Sequence, residues 1–97
     1  MPFRFTRRAS DDLINIYVAG AEMFGVDQAE RYRAGLDRTF AFLAEFPLAA
    51  RERTELRQKP RVHRYESHLI FYRVETDGIL ILRVRHGRED WLAAEND

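Results

Sequence analysis

The sequence contains no cysteine, a single lysine, three prolines and five glycines among its 97 residues. Without thiols there is no disulfide scaffold, no cysteine-ligated zinc and no sulfur nucleophile. The few glycines form no phosphate-cradling loop, so no nucleotide cofactor is expected. Neither a Ser–His–Asp order nor a helix-borne carboxylate pair is present. No apolar run approaches the roughly 20 residues that span a bilayer, and the first residues lack the apolar stretch of a signal peptide. These absences lead us to expect a soluble cytoplasmic protein with no cofactor and no membrane association.

Net charge is missing as well, sixteen bases against sixteen acids. The balance is local nowhere. Residues 51–88 hold ten bases and five acids, an excess of +5; the remainder holds six bases and eleven acids, or −5. Every base except Lys59 is an arginine. The planar arginine fork suits carboxylates and phosphates alike, so a protein partner and a nucleic acid both fit, as does plain genomic base composition. At 45% apolar and 33% charged residues the composition is globular, and the length allows one domain, residues 1–97.

Phe3–Phe5 alternates as a short strand. Thr6 is placed to cap a helix whose stripe runs Ala9, Leu13, Ile16, Tyr17, Gly20 and Phe24, with Asp11 and Asp12 near its positive end and Gly25 closing it. Asp27 and Glu30 read as a capping box for a second helix, striped by Ala29, Tyr32, Leu36, Phe40 and Leu43 and stopped by Pro47. Two helices joined so closely form an antiparallel hairpin. Residues 48–60 read as an exposed, arginine-rich loop. The period then changes to two, predicting strands at 61–66, 69–75 and 79–86, with a tight connection at Ser67–His68 and an Asp77-Gly78 hairpin turn. The expected fold is α+β: an N-terminal strand, the helical hairpin, then a three-stranded antiparallel meander.

The densest polar group is Arg83, Arg85, His86 and Arg88, at the end of the last strand. Strict alternation puts Ile79, Ile81, Arg83 and Arg85 on one face and Leu80, Leu82, Val84 and His86 on the other. The two guanidinium groups either receive an acidic segment or phosphates, or form a solvated face. His86 either joins Arg88 in a polar site or bonds a neighbouring group. Arg61, His63 and Tyr65 share a face. The three histidines sit on separate segments without a carboxylate at ligand spacing, so no metal site is expected. Phe42 and Phe46 fall off the stripe of their helix; surplus apolar surface of this kind marks either a protein-binding groove or a wide buried face.

In this order, Phe5-Thr6 entering the first helix, "DLINIY" from Asp12, Phe24-Gly25, "QAERY" from Gln28, Phe46-Pro47, "HLIFYRV" from His68 and "RVRHGRED" from Arg83 resemble the RelE/ParE toxin superfamily, ParE branch. The resemblance covers nearly the whole chain. It implies the toxin of a bacterial type II toxin–antitoxin pair that inhibits DNA gyrase and is neutralised by a ParD-like antitoxin, with DNA contacted only through that antitoxin. On this footing Arg85, His86 and Arg88 are expected to face the target, and Phe42, Phe46, Arg73, Arg83 and Arg85 the antitoxin. The alternative is a RelE-like, ribosome-dependent mRNA endoribonuclease, for which Arg61, His86 and Arg88 would handle the phosphate and proton transfer. The basic position early in the middle strand falls on Leu69 and no tyrosine follows Tyr72, which counts towards the ParE branch. Trp91 cannot transfer a proton.

Overall fold

A computed structural model describes residues 2–88 of the chain; Trp91 lies outside the described residues. The elements follow as β1 (Phe3–Phe5), α1 (Arg7–Phe24), α2 (Val26–Glu45), β2 (Arg61–Tyr65), β3 (His68–Glu75) and β4 (Gly78–His86). The sheet order is β1-β4-β3-β2, with β1 parallel to β4 and the other neighbours antiparallel. Helices and sheet form two layers, the α+β arrangement that the change of period predicts.

Thr6 caps α1, its hydroxyl accepting from the Ala9 N–H at 3.0 Å. Gly25 alone joins the helices. Its φ of +92° lies where side chains are strained, and its N–H donates to the Ala21 carbonyl to finish α1. The predicted capping box does not form, because α2 already starts at Val26 and has no side-chain cap. Ala9 and Leu13 of α1 meet Leu36, Phe40 and Leu43 of α2 over Ile70, Tyr72, Ile79, Ile81 and Val84 of the sheet, forming the main core. Phe5 meets Phe3 and Phe40 edge to face and Phe3 is tilted against Phe40, with centroids 5.3–5.8 Å apart. Phe24, expected on the buried stripe, is 68% exposed.

The opposite face of the sheet is also covered. Leu56, only 4% exposed, packs on Leu69, Phe71, Val62 and Leu82. The segment 48–60, expected to be an exposed loop, therefore folds back over the sheet with Leu56, Ala50 and Pro60 buried. It is tied down by the Arg53 N–H donating to the Pro60 carbonyl and by Tyr72, whose hydroxyl donates to the Pro47 carbonyl at 2.8 Å.

Two turn assignments also change. Tyr65 pairs with His68, so Glu66 and Ser67 form the connection, with Glu66 at φ +51°. Glu75 pairs with Gly78, so the hairpin tip is Thr76-Asp77 and Gly78 is already strand. Gly78 is needed for closeness and not for a positive φ: a Cβ there would run into the Pro2 carbonyl.

Candidate functional site

One inserted residue decides what the last strand presents. Phe71 pairs with Arg83 but Tyr72 pairs with Ile81, so Leu82 is extra, a β-bulge. Past it the alternation has slipped by one. Ile79, Ile81 and Val84 face the helices, Leu82 joins the opposite cluster, and His86 reaches the helical side. The faces assigned by strict alternation are thus corrected: the isoleucines do not share a side with Arg83 and Arg85.

Arg83 is engaged within the chain. Its Nε and Nη2 donate to the two carboxylate oxygens of Asp12 at 2.8 and 2.9 Å, a two-pronged contact between side chains that are 19% and 14% exposed. Asp12 Oδ2 also accepts the Val84 N–H at 2.9 Å. The carboxylate expected to serve the helix dipole instead secures β4 to α1. Arg83, expected to wait for a partner's acid, is held by this one.

The remaining predicted residues do not converge on a single place. Arg85 borders a small cavity of about 150 Å³ on the far face, together with Arg8, Gln58, Phe71 and Leu82. His86 lines a groove of about 460 Å³ on the helical side, so the expected target-facing set of Arg85, His86 and Arg88 is divided between two faces. Arg88 is exposed, and its N–H donates to His86 Nδ1 at 3.0 Å. Arg73, of the expected antitoxin set, lies exposed on β3 beside Glu75, which also pairs with Arg4. Phe42 and Phe46, 44% and 53% exposed, stack at 5.3 Å at the end of α2, with Phe42 also 6.2 Å from the His63 ring.

The set required for RNA cleavage is dispersed as well. Arg61 pairs with Tyr72 and His86 with His68, at positions four residues apart along β3, or about 13 Å at strand rise. Arg61 Nη1 is committed to the Ala50 carbonyl at 2.7 Å.

Several features escaped the sequence. The groove between α1 and α2 has Leu13, Ile16, Gly20 and Leu36 along it, Met23 and Phe24 at its mouth, and a polar end formed by Tyr32, His68 and His86. There the Tyr32 hydroxyl lies 2.7 Å from His68 Nδ1, and the His68 and His86 rings meet edge to face at 5.3 Å. Burial raises the Tyr32 hydroxyl above its ordinary pKa. Tyr65 slides under Gly35, whose missing side chain makes the space. Exposed Met23, Phe24 and Val26 form an apolar corner at the helix junction. Helical spacing was a signal available for the groove, since small Gly20 and Ala29 face each other across the hairpin.

These surfaces belong to a fold seen elsewhere. The family described as ParE toxin of type II toxin-antitoxin system, parDE, matches residues 3–91. "Toxin ParE1" of Caulobacter vibrioides is 36% identical over 85 residues, 88% of each chain. "Toxin ParE1" of Mycobacterium tuberculosis is 35% identical over 83 residues, 84% of this chain and 85% of that one. Among solved structures, a chain of the "Chromosomal ParDE TA system from P. aeruginosa" superposes with a TM-score of 0.76 over 89% of this chain and 95% of its own, at 23% identity, a likeness of fold.

Proposed function

Since the chain belongs to the family of ParE toxins of type II toxin–antitoxin systems, we propose that it inhibits DNA gyrase by protein contact and is neutralised by a ParD-type antitoxin. The observation that carries the contact mechanism is the dispersal of Arg61 from His86 and Arg88. Phosphodiester cleavage needs a base, an acid and charge stabilisation around one phosphate, within hydrogen-bond reach. Arg61 lies four residues along the sheet from His86 and two strands away, and it is bound to a backbone carbonyl. What the chain presents outward suits binding: exposed aromatic and aliphatic residues at the helix junction and at the end of α2, with arginines nearby.

The antitoxin is assigned to Phe42 and Phe46 with Arg73 and Arg85, and the target to His86 and Arg88. Arg83 leaves the antitoxin set because its guanidinium is occupied by Asp12. The test pairs a gyrase supercoiling assay with primer extension on translating ribosomes, each with and without the antitoxin. Inhibition of supercoiling that the antitoxin relieves is expected. RNA cleavage that disappears in His86→Ala would overturn the proposal in favour of an endoribonuclease.

A further inference from the structure

We propose that the outer edge of β2 is a docking edge for an extended peptide in which acidic residues alternate with aromatic or aliphatic ones. Tyr65 and His68 close a two-residue hairpin, which makes them a hydrogen-bonded pair. By alternation the backbone groups of Arg61, His63 and Tyr65 turn towards β3, and those of Val62 and Arg64 turn outward. Among the described residues the partner on that side is the segment around Glu52, bridged to Arg61 at the strand's start through the flanking residues, the Arg53 N–H donating to the Pro60 carbonyl and the Val62 amide facing Arg51. From His63 to Tyr65 the sheet ends without a neighbour among the described residues.

Side chains beside this edge set the chemistry of the occupant. Arg64 is exposed, and among the described residues its Nη1 makes only a long contact, 3.3 Å, with the Glu66 carbonyl. Arg51 and Lys59 are exposed on the adjoining loop. Residues 51–66 contain six bases and three acids, a local charge of +3. On the helical side of the edge stand His63, Phe42 and Phe46, in ring contact. A strand added to β2 directs successive side chains to opposite faces. Those on the far face meet Val62 and Arg64; those on the helical face meet His63, Phe42 and Phe46. Acids fit the first set and apolar rings the second, which yields the alternating pattern. A second copy of this chain is disfavoured as occupant, because pairing β2 with itself would bring Arg61 and Arg64 against the same cationic edge. Insofar as the natural occupant is an antitoxin segment, the inference rests on the reading above; the edge itself is testable without it.

The test titrates the isotope-labelled full chain with a short end-blocked peptide alternating glutamate with valine and phenylalanine. A peptide of identical composition with its glutamates grouped together serves as control. Amide shifts are expected at Val62, Arg64, Phe42 and Phe46, with slowed hydrogen exchange at the Arg64 N–H. Arg64→Glu should weaken binding by roughly tenfold, the scale of one charge contact, and Arg7→Glu, at the exposed start of α1, should leave it unchanged. Both positions are exposed, so both variants should fold, which their unperturbed core spectra would establish. Equal binding of the grouped peptide, shifts centred on the α1–α2 groove or the Phe71 face, or no shift at millimolar peptide would each overturn the proposal. None of these results depends on gyrase or on the antitoxin, so edge binding without supercoiling inhibition would sink the functional reading alone.

Discussion

Along β4 the outer margin of the sheet is closed by the chain's own groups, whereas along β2 only the strand's start has a partner among the described residues. Beyond β1 the Thr6 N–H donates to the Ile81 carbonyl, the Thr6 hydroxyl to the Leu82 carbonyl, and the Val84 N–H to Asp12. At β2 a single bridge, Glu52 to Arg61, takes the corresponding place. An unpaired edge is a template for foreign strands, and proteins either cover it or charge it. This molecule covers one margin and charges the other. The covered margin should therefore carry stability and the charged one recognition.

The largest effect is expected at Asp12. Asp12→Ala leaves a half-buried guanidinium and a strand N–H without their acceptor, and should cost about 3 kcal/mol in denaturant unfolding. The neighbouring Asp11→Ala should cost under about 0.5 kcal/mol, since Asp11 is exposed. Combining Asp12→Ala with Arg83→Met should recover part of the loss, because the orphaned charge goes with its partner. A loss under about 1 kcal/mol for Asp12→Ala would mean that this margin is not held as described. Next comes Gly78→Ala, where the new methyl group meets the Pro2 backbone and must displace β1 or the Ile79 N–H to Pro2 bond. A cost of about 2 kcal/mol, typical of overpacking, is the expected reading of the same measurement.

How much of this was legible in the sequence follows from the range of each cause. The helices, the strands and the junction at Gly25 were readable because spacing, caps and turn residues act over a few positions. Asp12 looked like a helix-dipole acid because nothing local reveals a partner 71 residues away. The bulge at Leu82 was invisible for a related reason: inserting one residue costs the strand's own pattern nothing, yet it reassigns the faces of Arg83 and everything beyond. Gly78 carried the right residue for a turn and served as a strand contact. Leu56, one apolar residue in a polar stretch, gave no period to detect, although it anchors the whole 48–60 segment. The candidate site was the least legible: alternation already divides Arg85 from His86, so nearness at the end of one strand does not join them into one surface, and no local pattern shows that Asp12 takes Arg83.

A smaller effect separates the loop from both margins. Tyr72 is fully buried and its hydroxyl holds Pro47 and Ala50, so Tyr72→Phe should cost about 1 kcal/mol by leaving those groups without it. Burial raises the Tyr72 hydroxyl above its ordinary 10.0, outweighing the lowering effect of the Ala50 N–H and of Arg61. A folded pKa above the unfolded one means that the stabilisation is whole below pH 10 or so and is lost as pH rises through the folded value. Unfolding midpoints followed from about pH 9 to about pH 11 should fall, and fall less in Tyr72→Phe. The fall should not vanish, because Tyr32 is raised by burial too. An alkaline fall of identical size in the variant would show that Tyr72 is not among the groups responsible.

The smallest expected change lies at the charged margin, and its smallness is the point. Arg64→Glu and Phe46→Ser alter side chains that are exposed, and among the described residues the Arg64 guanidinium makes only one long contact, with a carbonyl. Exposed substitutions away from capping side chains and networks usually stay within about 0.5 kcal/mol, and both variants should do so in the unfolding experiment that exposes Asp12→Ala, since Phe46 caps α2 only through its backbone N–H. Phe46 loses its ring contact with Phe42, so any residual cost should appear there before it appears at Arg64. A stability loss above about 1 kcal/mol at Arg64 would place that side chain in the folded framework, and β2 would then resemble β4 in being finished from within. Unchanged stability joined to weakened peptide binding is what distinguishes an edge kept open for another chain from one merely left bare.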